Sequence, residues 1–249
     1  MNFKPLLLAS LFVALAPACV IKSDSTPPPK ELPKPSTDFA TNKIYPSTSA
    51  QDDGTNMTVY AALLANGKFL TLGATDRLVA KIGTGPELVL QSQGQTYDPH
   101  YFATVTSTKD KLDVVVTLDR AGSADDHSVT LHVPAGFDLD GALPSEVKQG
   151  IGFDVGVLPA PVKDDSLWWA IAEGDCVATN ATSIASITPQ GKLHFQFDAT
   201  TIKKDATSCA ATLKVQHVMT GTVDPAFEKP FPTDTMGVRE RRFKATLSR

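Results

Sequence analysis

The sequence predicts an all-β protein built as two tandem β-sandwiches behind a leader and a Pro-rich linker. Three observations predict it. From residue 58 onward apolar residues recur with period two, the spacing of a half-buried strand and not of a helix. Turn signals such as Asn66-Gly67 and Pro189-Gln190-Gly191 separate the apolar runs. A stretch rich in Gly and Pro, from Pro134 to Gly150, divides the runs into two series of similar length and pattern.

The elements follow in chain order. Residues 1–18 read as an export signal, with Lys4 in the basic region and an uncharged apolar run from Leu6 to Leu15. That run is shorter than the roughly 20 apolar residues a spanning helix needs. Ala16-Pro17-Ala18 fits ordinary signal-peptidase cleavage. The following Cys19 also fits the lipobox pattern of bacterial lipoproteins, in which the cysteine thiol carries diacylglycerol; Ala16 and Pro17 depart from that pattern. Residues 19–54 read as a flexible tether. Its segment Thr26-Pro27-Pro28-Pro29 to Pro33-Lys34-Pro35 favours polyproline II, which rises ~3.1 Å per residue and makes a semi-rigid stalk. The stalk favours the anchored reading, because a freely secreted domain has less need of one.

Residues 55–136 form the first expected domain, with strand-like runs at 58–65, 68–72, 77–82, 87–91, 101–107, 112–119 and 128–133. Short strands with turns between them match the immunoglobulin-like sandwich. Residues 137–150 are read as a linker. Residues 151–249 form the second domain, with runs at 151–158, 167–172, 183–187, 192–198, 210–220 and 238–247. A single larger sandwich is the alternative architecture.

The formal net charge is −4, which argues against general nucleic-acid binding. Three cysteines in an exported chain leave one over. Lipidation of Cys19 resolves the odd count and leaves Cys176 and Cys209 as a disulfide, closing a loop of about 33 residues worth ~3–4 kcal/mol by chain entropy. Each of the two lies at a strand end, and the bridge is expected to tie two non-adjacent strands near one end of the second domain.

Chemistry-bearing residues are dispersed. His100, His127, His132, His194 and His217 lack metal-ligand spacing, with His217 sharing a face with Leu213 and Val215. Asp125-Asp126-His127 fits a turn. Asp138-Leu139-Asp140-Gly141 starts like a calcium loop without the rest of its ligands. No Gly-x-Ser-x-Gly elbow marks a nucleophile. On the 167–172 run, Trp169 aligns with Leu167 and Ile171 and is expected in the core. Trp168 aligns with Ala170 and Ala172 and is the candidate for an exposed ligand contact, against the alternative of burial under a loop or neighbouring domain. Arg239, Arg241, Arg242 and Lys244 form a basic cluster on the last run, readable as an anion-binding patch or as edge protection.

Gly174-Asp175-Cys176, Ser208-Cys209-Ala210-Ala211-Thr212-Leu213 and Gly221-Thr222-Val223-Asp224-Pro225-Ala226-Phe227 resemble uncharacterised lipoproteins of Gram-negative bacteria over about residues 100–249. The resemblance implies a similar cysteine pair and a closing strand containing Arg, and brings no activity or catalytic residue with it. The sequence therefore predicts a non-enzymatic cell-envelope protein, anchored in the outer membrane through Cys19, that binds an envelope protein or glycan. It predicts neither a cofactor nor a metal. A carbohydrate-binding module using Trp168, a hydrolase with a dispersed site, and a periplasmic or secreted location are the alternatives.

Overall fold

A computed structural model describes residues 31–93, 96–121, 126–178, 181–229 and 234–249. The leader and Cys19 lie outside the described residues. In chain order the strands are β1 (Lys34–Pro35), β2 (Tyr45–Asp52), β3 (Asn56–Ala65), β4 (Lys68–Thr71), β5 (Asp76–Ile82), β6 (Glu87–Val89), β7 (Gln91–Ser92), β8 (Tyr101–Thr106), β9 (Leu112–Arg120) and β10 (His127–Val133). They continue with β11 (Asp138–Asp140), β12 (Glu146–Lys148), β13 (Phe153–Leu158), β14 (Leu167–Glu173), β15 (Thr182–Ile184), β16 (Ser186–Ile187), β17 (Leu193–Phe195), β18 (Ser208–Thr220), β19 (Thr222–Val223) and β20 (Thr235–Ser248). The all-β expectation holds. Two short 3-10 turns, Ser36–Asp38 and Thr41–Lys43, precede β2.

One 11-stranded sheet carries the spine β1-β4-β3-β2-β20-β18-β14-β15 and faces two smaller sheets. The five-stranded sheet β19-β10-β9-β5-β6 closes one core around Val59, Leu63, Leu78, Val114, Leu118 and Leu131. The four-stranded sheet β11-β13-β17-β16 closes the other around Trp168, Leu193, Phe195, Phe197, Leu213 and Leu247. Each fully buried side chain of this kind contributes about 1.5–3 kcal/mol relative to exposure. The two cores share the large sheet, and residues 32–249 form one compact unit.

The long strand β20 makes that sharing possible. It pairs antiparallel with β18 along its length, and on its other edge runs parallel first to β2 and then to β12. At Gly237 its backbone passes so close to β10 that an added Cβ would meet the His132 carbonyl oxygen at 2.2 Å. Only glycine allows the two backbones to cross there.

Two stretches differ from the sequence expectation. The stretch from Lys34 to Asp52, read as tether, carries β1, both 3-10 turns and β2. The strand β2 sits inside the sheet between β3 and β20, with Ala50 and Asp52 buried. Its sequence, Tyr-Pro-Ser-Thr-Ser-Ala-Gln-Asp, reads as loop because its inward positions hold Thr48, Ala50 and Asp52 and no large apolar residue. Residues 137–150, read as linker, carry β11 and β12 and bury Phe137 and Val147 in the second core. The Asn66-Gly67 hairpin forms as expected, both residues having positive φ (51° and 71°).

Candidate functional site

The outward face of the large sheet carries the candidate site. Alternation along the strands decides which side chains reach it. Val59, Ala61 and Leu63 of β3 turn into the core, leaving Thr58, Tyr60 and Ala62 outside. The same rule turns Gln51 outward on β2, Lys214 and Gln216 on β18, and Glu240 and Arg242 on β20. Three depressions of about 380, 360 and 480 Å³ follow one another over these strands. The first and second share Gln51 and Tyr60. The second and third share Ser47, Ala62, His100 and Asp234. They form one groove, polar at the Gln51 end and more apolar at the other, where Tyr45, Leu64 and Phe69 line it.

At the polar end the side chains hold one another in place. The Glu240 carboxylate accepts from Gln216 Nε2 at 2.7 Å and from Arg242 Nε at 2.5 Å. The hydrogen bond to Glu240 raises the already high pKa of Arg242. Lys214 Nζ pairs with Glu173 at 2.5 Å. The Asp53 carboxylate accepts the backbone N–H groups of Asn56 and Thr55, both at 2.8 Å, and these hold its pKa below the usual carboxylate value. The groove thus presents amides, hydroxyls and a phenol ring over a set of charges that are already paired.

The basic cluster on the last strand does not exist as a surface patch. Arg239 is 0% exposed. Its guanidinium donates from Nη1 to Asp52 Oδ2 at 2.6 Å and to the Thr108 carbonyl, from Nη2 to the Asp110 carbonyl at 2.6 Å, and from Nε to the Pro134 carbonyl at 2.7 Å. Arg241 lies on the same inward face, over the ring of Phe137 at 5.4 Å. Of the four, Arg242 and Lys244 turn to solvent. The alternation of β20 separates them, which a count of basic residues along the sequence does not register.

Of the two readings of Trp168, burial holds, and Trp169, expected in the core, turns outward. Trp168 is 6% exposed and packs edge-on against Phe137, while Trp169 turns to the outer face with Leu167 and Ile171. The face carrying Ala170 and Ala172 is the core face, and Trp168 shares the second core with Phe137 and Phe195. Buried in this way, Trp168 does not present a ligand contact on the surface. Its ring stacks on His217 with centroids 4.0 Å apart.

His217 has a further partner the sequence did not suggest: Ser166 Oγ lies 2.7 Å from Nε2. A serine and a histidine 51 positions apart meet because Leu167 pairs with Val218 across β14 and β18. The geometry does not make a nucleophile. Ser166 has one hydroxyl proton, and the Asp164 carboxylate contacts the same Oγ. None of the three depressions includes Ser166 or His217.

Burial lowers the His217 pKa from 6.5 to about 4, against an opposing pull from Asp164 and the Ala135 backbone; Arg239 and Lys111 add to the lowering. Between those pH values the unfolded chain binds more protons than the folded one. The stability conferred by neutral His217 is complete above pH 6.5 and is lost as pH falls through about 4. We expect a loss of about 2 kcal/mol over that interval, discounted for partial exposure, that disappears in His217→Phe. Denaturant melts of both proteins at each pH check it, and equal slopes would refute it.

The remaining candidates are structural. His132 and His194 pair with Asp113 and Asp154 across neighbouring strands at 2.8 and 2.7 Å, and His127 pairs with Asp224 at 3.3 Å. Asp138, in the segment that begins like a calcium loop, binds Lys109 at 2.7 Å. Among the described residues no group of three or more His, Cys, Asp or Glu could hold a metal. Cys176 and Cys209 form a disulfide. It joins the turn that follows β14 to the start of β18, and these strands are neighbours in the sheet and not the non-adjacent strands expected from the sequence.

No family model matches the chain, and no curated protein matches it. Among solved structures it is similar to titin domains z1z2 from their complex with telethonin. That similarity has 14% identity and a TM-score of 0.22, and covers 84% of this chain and 96% of the other.

Proposed function

We propose that this is an exported, lipid-anchored cell-envelope protein that acts by binding, through the outward face of its large sheet, and not by catalysis. One observation carries the binding reading. The groove runs continuously across four central strands, and its polar side chains are held in position by one another and by the sheet beneath. Prearranged side chains on rigid strands lose little freedom on binding. The anchor reading rests on the leader, Cys19 and the odd cysteine count, and the disulfide is in keeping with an oxidising compartment.

The test places a photo-crosslinking residue at Thr58, in the groove, and separately at Lys81, on the outer face of the five-stranded sheet, in cells producing the protein. Adducts are expected at Thr58 and not at Lys81. Adducts at neither, or equally at both, would overturn the binding reading. Fatty-acid labelling that is lost in Cys19→Ser, together with loss from the membrane fraction, checks the anchor. An unlabelled parent chain removes it.

A further inference from the structure

We propose that the groove binds a neutral, extended glycan chain, an assignment that rests on the sheet-face reading above. The first ground is what the floor withholds. Along the groove β2 lies between β3 and β20, and over Thr235–Arg239 β20 lies between β2 and β18, so the backbone donors and acceptors of those stretches are engaged within the sheet. A peptide cannot add as a further strand there, because strand addition needs an open edge. What binds over those stretches is read by side chains alone.

The second ground is charge. At the polar end Arg242 is paired with Glu240, Lys214 with Glu173, and the Asp53 carboxylate is turned onto its own loop. Among the described residues lining that end, Asp52, Asp53 and Glu240 outnumber Lys214 and Arg242, so no excess of positive charge is offered to a phosphate, sulfate or carboxylate on a polymer. The other end adds Glu228 and Asp234, which repel one. The groove thus disfavours nucleic acid and anionic polysaccharide. What it offers is neutral: the Gln51 and Gln216 amides and the Thr58 hydroxyl, each able to both donate and accept. Vicinal hydroxyls of a sugar have that same mixed character.

The third ground is the placement of rings. Tyr60 lies where the polar and middle depressions meet. Phe69 lies at the far end beside His100, ring centroids 5.2 Å apart, and pairs across the hairpin with Leu64. Leu64 lies four positions along β3 from Tyr60, a rise of ~13 Å. One sugar cannot touch both platforms, and a chain can. Flat apolar platforms separated by hydrogen-bonding amides suit pyranose rings, which have apolar faces and polar rims.

The test titrates the purified full chain with maltohexaose, cellohexaose, xylohexaose and chitohexaose by calorimetry, with glucose and a sulfated hexasaccharide as comparisons. At least one neutral hexasaccharide is expected to bind, and glucose at least 100-fold more weakly. Tyr60→Ala is expected to weaken binding at least tenfold and Gln51→Ala/Gln216→Ala similarly, while Tyr60→Phe retains it. Unchanged melting temperatures show that the variants fold. Failure of all four neutral sugars, tighter binding of the sulfated one, or full binding by Tyr60→Ala would each overturn the proposal. Crosslinks at Thr58 to a protein with no sugar bound would remove the glycan and leave the sheet face as a binding surface. Neither crosslinks nor sugar binding would remove both.

Discussion

Asp52→Ala lowers the stability of the fold by about 3–5 kcal/mol, a fall in Tm on the order of 10 °C, because it leaves the buried Arg239 charge without its counter-ion. Both side chains are within 1% of full burial. The guanidinium ties the end of β2 to the 108–110 turn and to Pro134, and Asp52 in turn accepts from Gly54 N at 2.7 Å and from Ser107 Oγ at 2.5 Å. The pair therefore fastens three segments of chain at the point where β20 passes from one core to the other. Arg239→Lys is also damaging, since one ammonium cannot reach three carbonyls and a carboxylate in different directions. The double variant Asp52→Leu/Arg239→Met is expected to lose less than the sum of Asp52→Leu and Arg239→Met made singly beside the parent chain, because it removes both charges together. Guanidinium melts of the four proteins measure this. Strict additivity, or a loss under about 1 kcal/mol in Asp52→Ala, would show that the pair is not the fastening described.

The same junction shows what was legible in the sequence. Strands with a large apolar residue at every second position, such as β9 with Leu112, Val114, Val116 and Leu118, are readable because burial on one face dictates the pattern. The strand β2 is not. Its inward positions are small or polar because they meet Arg239 and the close-packed β20, and that neighbour is nearly 190 residues away in sequence. Without β2 the large sheet cannot be assembled on paper. Gln51, Tyr60, Gln216 and Glu240 then look like unrelated polar positions. The alternation of β18 and β20 does give the outward direction of Lys214, Gln216, Glu240 and Arg242, and that signal was available. The tryptophan pair failed for a related reason. Period two says that Trp168 and Trp169 face opposite ways, and not which way. The deciding residue, Phe137, stands in the segment taken for a linker.

Removing the disulfide, by Cys176→Ala/Cys209→Ala, is expected to lower stability by about 3–4 kcal/mol through the loop-closure entropy of the unfolded chain. The bridge spans 33 positions, and within them lie β15, β16, β17 and the core residues Leu193, Phe195 and Phe197. Alanine suits this test because Cys176 is buried and Cys209 packs against the core, so a larger or charged residue would add a packing cost of its own. The effect has a signature beyond its size. A chain without the cross-link exposes more surface on unfolding, so the denaturant m-value rises as the midpoint falls. A loss confined to the folded state moves the midpoint and leaves m alone. An unchanged midpoint would show that β14 and β18, paired directly from Leu167–Val218 to Glu173–Thr212, need no further tie. The expected result makes the second core depend on an oxidising compartment for much of its stability. Protein made in a reducing cytoplasm should then unfold at the midpoint of the double variant, and oxidation should restore it.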